Sequence, residues 1–211
     1  AFGNISIKNN GTTCVITAPK TGSGAAQSTV TASYPGAYPV TFSVFTYDSE
    51  SELNDFNLRT IYSYSTVKTV QTGSEVNLEL QTEGFPHGET PSITWKITGG
   101  SDCILLNTKN SNKTAVIEGK KAGNAVIKAS CSGCEDVFFS VKVVNPADST
   151  ETASSGYINL CSSPIVKIKN GETAEVRISL GQDASADSVQ WSAEGRVSVK
   201  AVGTECVITA P

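Results

Sequence analysis

The chain has 211 residues, a formal net charge of −4 and 17% charged residues, against roughly 25% in an average globular protein. Its lysines are scattered, which excludes the basic stripe that a nucleic-acid binder uses to displace counterions from phosphates. No apolar run approaches the ~20 residues that span a bilayer as a helix.

Thr, Ser, Val, Ile and Asn fill the place of the missing charges. β-branched residues fit a pleated surface, so the composition leans all-β. Read along the chain, the segments repeat one another. Gly11-Thr12-Thr13-Cys14-Val15-Ile16-Thr17-Ala18-Pro19 returns at the far end as Gly203-Thr204-Glu205-Cys206-Val207-Ile208-Thr209-Ala210-Pro211. Ala32–Val44 aligns without a gap on Ala129–Val141. Gly73-Ser74-Glu75-Val76 corresponds to Gly171-Glu172-Thr173-Ala174-Glu175-Val176, and Ser92-Ile93-Thr94-Trp95 to Ser188-Val189-Gln190-Trp191. The step from Trp95 to Trp191 sets a period of 96 residues, the size of an immunoglobulin-type sandwich.

This period predicts three registers of one module. Residues 1–48 are the back half of a repeat (strands D to G), 57–146 a complete repeat, and 157–211 the front half of a third (strands A to E). Within the complete repeat, alternation and turn residues predict strand A near 60–70 with a break at Ser65-Thr66, and B over 76–80. C follows at 93–97, D at 103–106, E at 114–118, F at 124–130 and G at 137–143. No stretch sustains a period near 3.6, so essentially no helix is expected. Trp95 on strand C and Phe139 and Val141 on strand G should face the core, with Trp191 in the part of Trp95 in the third register.

Val/Ile-Thr-Trp followed by Gly119-Lys120-Lys121-Ala122-Gly123-Asn124-Ala125-Val126-Ile127-Lys128-Ala129-Ser130 resembles the group 2 bacterial immunoglobulin-like repeats of intimin- and invasin-type surface proteins. The resemblance implies an all-β fold of tandem immunoglobulin-like β-sandwiches, one complete and two partial. It also implies a bacterial stalk or adhesin module outside the cell, with no catalytic residues, metal or cofactor.

Six cysteines are compatible with an oxidising compartment. Cys131-Ser132-Gly133-Cys134 caps the F–G hairpin, and a β-turn holds its end Cα atoms within disulfide reach. A redox CxxC sits at a helix start and a zinc site needs four ligands, so a turn disulfide is favoured over either. Cys14 and Cys206 occupy equivalent positions at the start of strand E, where Ala115 faces inward in the middle repeat. They are either small buried hydrophobes or, for Cys206, a partner of Cys161; Cys103–Cys161 is a third possibility.

Asp48, Glu50, Glu52 and Asp55 cluster between the first two repeats. They lack the Asp-x-Asp-x-Asp-Gly pattern of a calcium loop and read as a solvated acidic linker. Asn145–Gly156 reads as a semi-flexible linker. The lone His87 lies in a turn-rich B–C loop with no Gly-x-Ser-x-Gly elsewhere, which speaks against a triad. Tyr34, Tyr38, Tyr47, Tyr62 and Tyr64 gather near the first junction, for inter-domain packing or for a protein or sugar contact. Asn4-Ile5-Ser6, Asn10-Gly11-Thr12 and Asn112-Lys113-Thr114 match a glycosylation sequon that is common by chance.

Three functions follow. The first is a non-enzymatic structural spacer whose partners are neighbouring repeats of the same protein. The second is a module touching a host protein or glycan through its end loops. The third is a subunit whose two partial repeats complement one another between copies, since Ala1–Pro19 and Ala193–Pro211 overlap and the two halves together hold every strand of one sandwich.

Overall fold

A computed structural model describes residues 5–8, 11–146, 157–181 and 184–202. It is nearly all β and divides into two compact units, one continuous and one assembled from two distant stretches. In chain order the elements are β1 (Ile5–Lys8), β2 (Thr13–Thr17), β3 (Ala26–Ser33) and β4 (Val40–Tyr47). There follow β5 (Thr60–Tyr62), β6 (Val67–Gln71), β7 (Glu75–Glu79), β8 (Gln81–Glu83), β9 (Ile93–Gly99), β10 (Ile104–Ser111), β11 (Thr114–Gly119), β12 (Gly123–Cys131) and β13 (Val137–Val144). The last are β14 (Ile158–Leu160), β15 (Ile165–Lys169), β16 (Thr173–Leu180), β17 (Gln190–Glu194) and β18 (Ser198–Val202). Two short 3-10 helices, Glu50–Asp55 and Ala186–Ser188, depart from the expectation of no helix. The second begins at Ser185, whose hydroxyl accepts from the Asp187 N–H and so supplies the cap that a period count does not register.

The middle unit, Leu58–Ser155, has two main sheets, ordered β10-β11-β7 and β6-β13-β12-β9, and a β5–β8 ribbon. Strand A is two strands, β5 and β6, because the chain changes partner at the Ser65-Thr66 break: β5 pairs with β8 and β6 with β13. Alternation decides what is buried. On β12 Ala125, Ile127, Ala129 and Cys131 face in, and on β11 Ala115 and Ile117 do so while Val116 is only partly covered. Leu78, Ile117, Ile127, Phe139 and Val141 join the inner faces of both sheets into one core, in which Phe139 is fully buried. β6 runs parallel to β13, Val67 opposite Ser140 and Gln71 opposite Val144, so the chain enters this unit at one pole and leaves at the other.

The split unit, residues 1–57 with 156–211, takes strands from both ends of the sequence. One sheet is ordered β1-β17-β3-β4-β15 and the other β14-β16-β2-β18. The two stretches read from sequence as separate partial repeats thus share sheets. Here too the first long strand is parallel to the last: β15 pairs with β4 from Ile165 opposite Ser43 to Lys169 opposite Tyr47.

Trp191 is fully buried, stacks on Phe42 at 6.1 Å and donates its Nε1 hydrogen to the Gly11 carbonyl at 3.1 Å. Trp95, expected to be the largest core residue, is only half-buried. The reason is strand position. β9 is the edge of its sheet, whereas β17 lies between β1 and β3. The Trp95 ring packs on Phe139 at 5.5 Å, and its Nε1 donates to the Asn112 carbonyl at 3.2 Å.

Removing a fully buried aromatic costs about 3–5 kcal/mol. Phe139→Ala is expected to lower the denaturant midpoint of the middle unit by that amount and leave the split unit's transition in place, and Trp191→Ala to do the reverse. Trp95→Ala should cost less than Phe139→Ala. Urea unfolding followed by tryptophan fluorescence and by amide exchange in each unit measures all three.

Candidate functional site

The middle unit presents its loop residues at one pole. β12 and β9 are antiparallel, Cys131 opposite Ile93, which brings the β12–β13 turn beside the β8–β9 loop. Arg59 ties this loop down. Its guanidinium holds the Glu89 carboxylate through two contacts of 3.0 Å and lies 5.6 Å from the centre of the Phe85 ring. Such a fork-on-fork pair fixes orientation, although both side chains are well exposed and the pair adds little stability. His87, between Phe85 and Glu89, is exposed.

The turn at this pole is Cys131–Cys134. Gly133 sits at φ 77°, a backbone conformation open to glycine, and the Cys134 N–H donates to the Cys131 carbonyl at 3.1 Å. Cys131 is buried and Cys134 half-buried. Burial, and then the neighbouring Cys131 thiol, push the Cys134 thiol up to about 11. A thiol held protonated at neutral pH is a poor nucleophile and a poor metal ligand. Lys128 and Asp136 close the flank at 2.9 Å, and the Ser130 hydroxyl and then Lys128 hold the Asp136 carboxyl below its usual range.

Cys14, Cys103, Cys131, Cys134 and Cys161 are all free thiols, so neither the Cys131–Cys134 turn bridge nor Cys103–Cys161 is formed. Cys103 is buried beside Gly123, where its sulfur lies close enough to exclude a Cβ, whereas Cys161 is exposed in the other unit. Cys14 is fully buried on β2. Cys206, and with it the Cys161–Cys206 pairing, lies outside the described residues.

The acidic stretch is not a solvated linker throughout. Asp48 accepts the Gly22 N–H at 2.7 Å and the Gly24 N–H at 2.8 Å. The Asp48 N–H in turn donates to Glu52 at 3.0 Å. Asn170 joins from the other stretch, donating to the Gly24 carbonyl at 3.1 Å and to Asp48. The two backbone N–H donors, Gly22 first, hold the Asp48 carboxyl below its ordinary 3.8. Among the described residues no group of three or more His, Cys, Asp or Glu side chains is placed to hold a metal ion.

The tyrosines divide between the units. Tyr34 and Tyr38 flank the β3–β4 turn, with Tyr38 exposed. Tyr62 and Tyr64 meet edge to face at 5.3 Å with their hydroxyls 3.3 Å apart, and burial together with the Tyr64 hydroxyl raises the Tyr62 phenol. Arg59, Phe85 and Glu89 escape a reading of the sequence because they lie up to 30 residues apart and match no motif. The Asp48 tie leaves one trace there, the paired glycines Gly22 and Gly24 facing a carboxylate.

No family model matches the chain, and no curated protein matches it. Among solved structures it is similar to domains 4 and 5 of the S-layer protein SbsC, at 13% identity and a TM-score of 0.34, over 51% of this chain and 59% of that one. It is also similar to the endo-fucoidan hydrolase MfFcnA4 of glycoside hydrolase family 107, at 15% identity and a TM-score of 0.32, over 76% of this chain and 26% of that one. Both likenesses are too distant to carry an inference. Among the described residues no helix is long and apolar enough to cross a membrane.

Two outcomes test this geometry. The folded-state carboxyl of Asp48 titrates below its unfolded value, so its stabilisation is present above about pH 4 and is lost as pH falls through the lower folded value. Asp48→Asn should therefore flatten the acid limb of the split unit's stability below pH ~4 and leave the middle unit's limb unchanged, as read by pH-dependent thermal melts. Oxidation of Cys131 and Cys134 by a disulfide-exchange couple should remove two hydrogens from the peptide that carries both, as peptide mapping reads. The four-residue loop so closed should stabilise the middle unit by no more than about 2 kcal/mol.

Proposed function

We propose that the chain is a spacer segment of a bacterial cell-surface or secreted repeat protein, built from tandem immunoglobulin-like β-sandwiches and without catalytic activity. The observation that carries this reading is a repeated unit with opposite poles. Sequence matches near 96 residues apart fall on corresponding strands: Trp95 on β9 with Trp191 on β17, and Ala32 on β3 with Ala129 on β12. In both units the first long strand lies parallel to the last, so each unit passes the chain from one end to the other. A module joined at opposite ends adds its own length to the chain, and an eight-residue strand alone contributes roughly 26 Å.

A second reading has its own observation. Arg59, Phe85 and Glu89 hold the β8–β9 loop beside the Cys131–Cys134 turn in a fixed arrangement. Loops fixed at the end of a sandwich are where contacts with a host protein or glycan are usually made.

Residues 57–146 produced alone should unfold in one cooperative step, with a radius of gyration of about 12 Å. Two such segments in tandem should lengthen the particle by roughly 30 Å in solution scattering. A segment that stays unfolded, or a tandem that gains no length, defeats the spacer reading. Saturable binding to a glycan array or a host extract, abolished by Arg59→Ala with Phe85→Ala, would instead select the second.

A further inference from the structure

We infer that the split unit is an assembly site for a second copy of this chain, in which residues 157–202 of one copy receive β2, β3 and β4 of another. The pairings that hold this unit together are nearly all between its two stretches. β2 lies between β16 and β18, β3 pairs with β17, β4 with β15 and β1 with β17. Within a stretch there are only the β3–β4 hairpin and the short β14–β16 pair.

The side-chain ties follow the same seam. Trp191 donates to the Gly11 carbonyl at 3.1 Å, Asn170 to the Gly24 carbonyl at 3.1 Å and Arg196 to the Ser23 carbonyl at 2.8 Å. Each stretch alone exposes strand edges and the apolar face that carries Val30, Phe42 and Val44 on one side and Val176, Ile178 and Trp191 on the other. A second copy offers the identical partner atoms, so exchange needs no new complementary surface.

Chain reach decides between closure within one copy and closure between copies. The chain leaves the split unit after Tyr47 at the pole opposite Ile165, and leaves the middle unit after Val144 at the pole opposite Val67. In a row of such units, one connection joins neighbouring poles. If closure is to occur within one copy, the other connection must run past two units, roughly 55 Å for two eight-residue strands in series. Asn145–Tyr157 reaches at most roughly 45 Å when fully extended. Closure between copies asks each connection only to join adjacent poles, and each copy then continues the row. The inference stands on these pairings and lengths and is independent of the spacer reading.

The test uses the full chain. Equal amounts of ¹⁴N- and ¹⁵N-labelled protein are unfolded together, refolded over a range of concentrations, and examined by sedimentation. Carbodiimide cross-linking and mass spectrometry then read the seam, where Lys169 faces Asp48 and Lys20 adjoins Glu172 across backbone hydrogen bonds. Exchange predicts masses that rise with concentration in steps of 22.0 kDa, with about half of the seam cross-links joining a heavy to a light chain, the statistical share for equal mixing. A constant 22.0 kDa mass with every seam cross-link inside one label overturns it. So do oligomers whose seam cross-links never mix labels, or refolded protein with no seam cross-link. A cooperative fold of residues 57–146 alone would leave the spacer reading intact in any of these cases.

Discussion

A strand that buries one face must also satisfy its edges, and this constraint governs the split unit. β2 has its apolar residues Cys14 and Ile16 on the core side and a neighbour on each edge, β16 on one and β18 on the other. Both neighbours come from the far end of the sequence. Unpaired backbone N–H and C=O groups beside an apolar face cost more than a loose contact returns. The two stretches therefore associate as a set of sheets, and the polar ties at Gly11, Ser23, Gly24 and Asn170 fall where the sheets have already brought the chain together.

The same constraint separates the two tryptophans. Their local sequences are alike, Ser92-Ile93-Thr94-Trp95 and Ser188-Val189-Gln190-Trp191. Trp191 lies on a strand with neighbours on both sides and vanishes into the core; Trp95 lies on an edge strand and keeps part of its ring in water. Position in the sheet, which is a property of distant partners, sets burial where local pattern is equal. Residues 5–8 and 197–200 make the same point, since Ile-Ser-Ile-Lys and Val-Ser-Val-Lys are near copies. β1 nevertheless pairs with β17, while β18 pairs with β2.

What the sequence discloses is the part set by short-range pattern. Alternation on Ala125, Ile127 and Ala129, turn residues at Gly73 and Gly133, and the break at Ser65-Thr66 placed the strands of the middle unit to within a few residues. Even the inward parity of Ala115 on β11 was readable, because Glu118 had to face outward. The Arg59–Glu89 fork, the Asp48 cradle and the thiol state of Cys131 and Cys134 were not. Each depends on which loops the sheets bring together. Asp48 illustrates the limit: its neighbours in sequence are Ser49 and Glu50, and its neighbours in space are Gly22, Gly24 and Asn170.

The parallel pairing of first and last long strands has a mechanical consequence. Tension applied through the two connections of the middle unit pulls β6 and β13 in opposite directions along their common axis. Their ladder, from Val67 opposite Ser140 to Gln71 opposite Val144, is then loaded in shear. All of its hydrogen bonds resist at once, where a hairpin pulled from its open end yields one bond at a time. The split unit carries an equivalent clamp between β15 and β4, with its two strands drawn from opposite ends of the sequence.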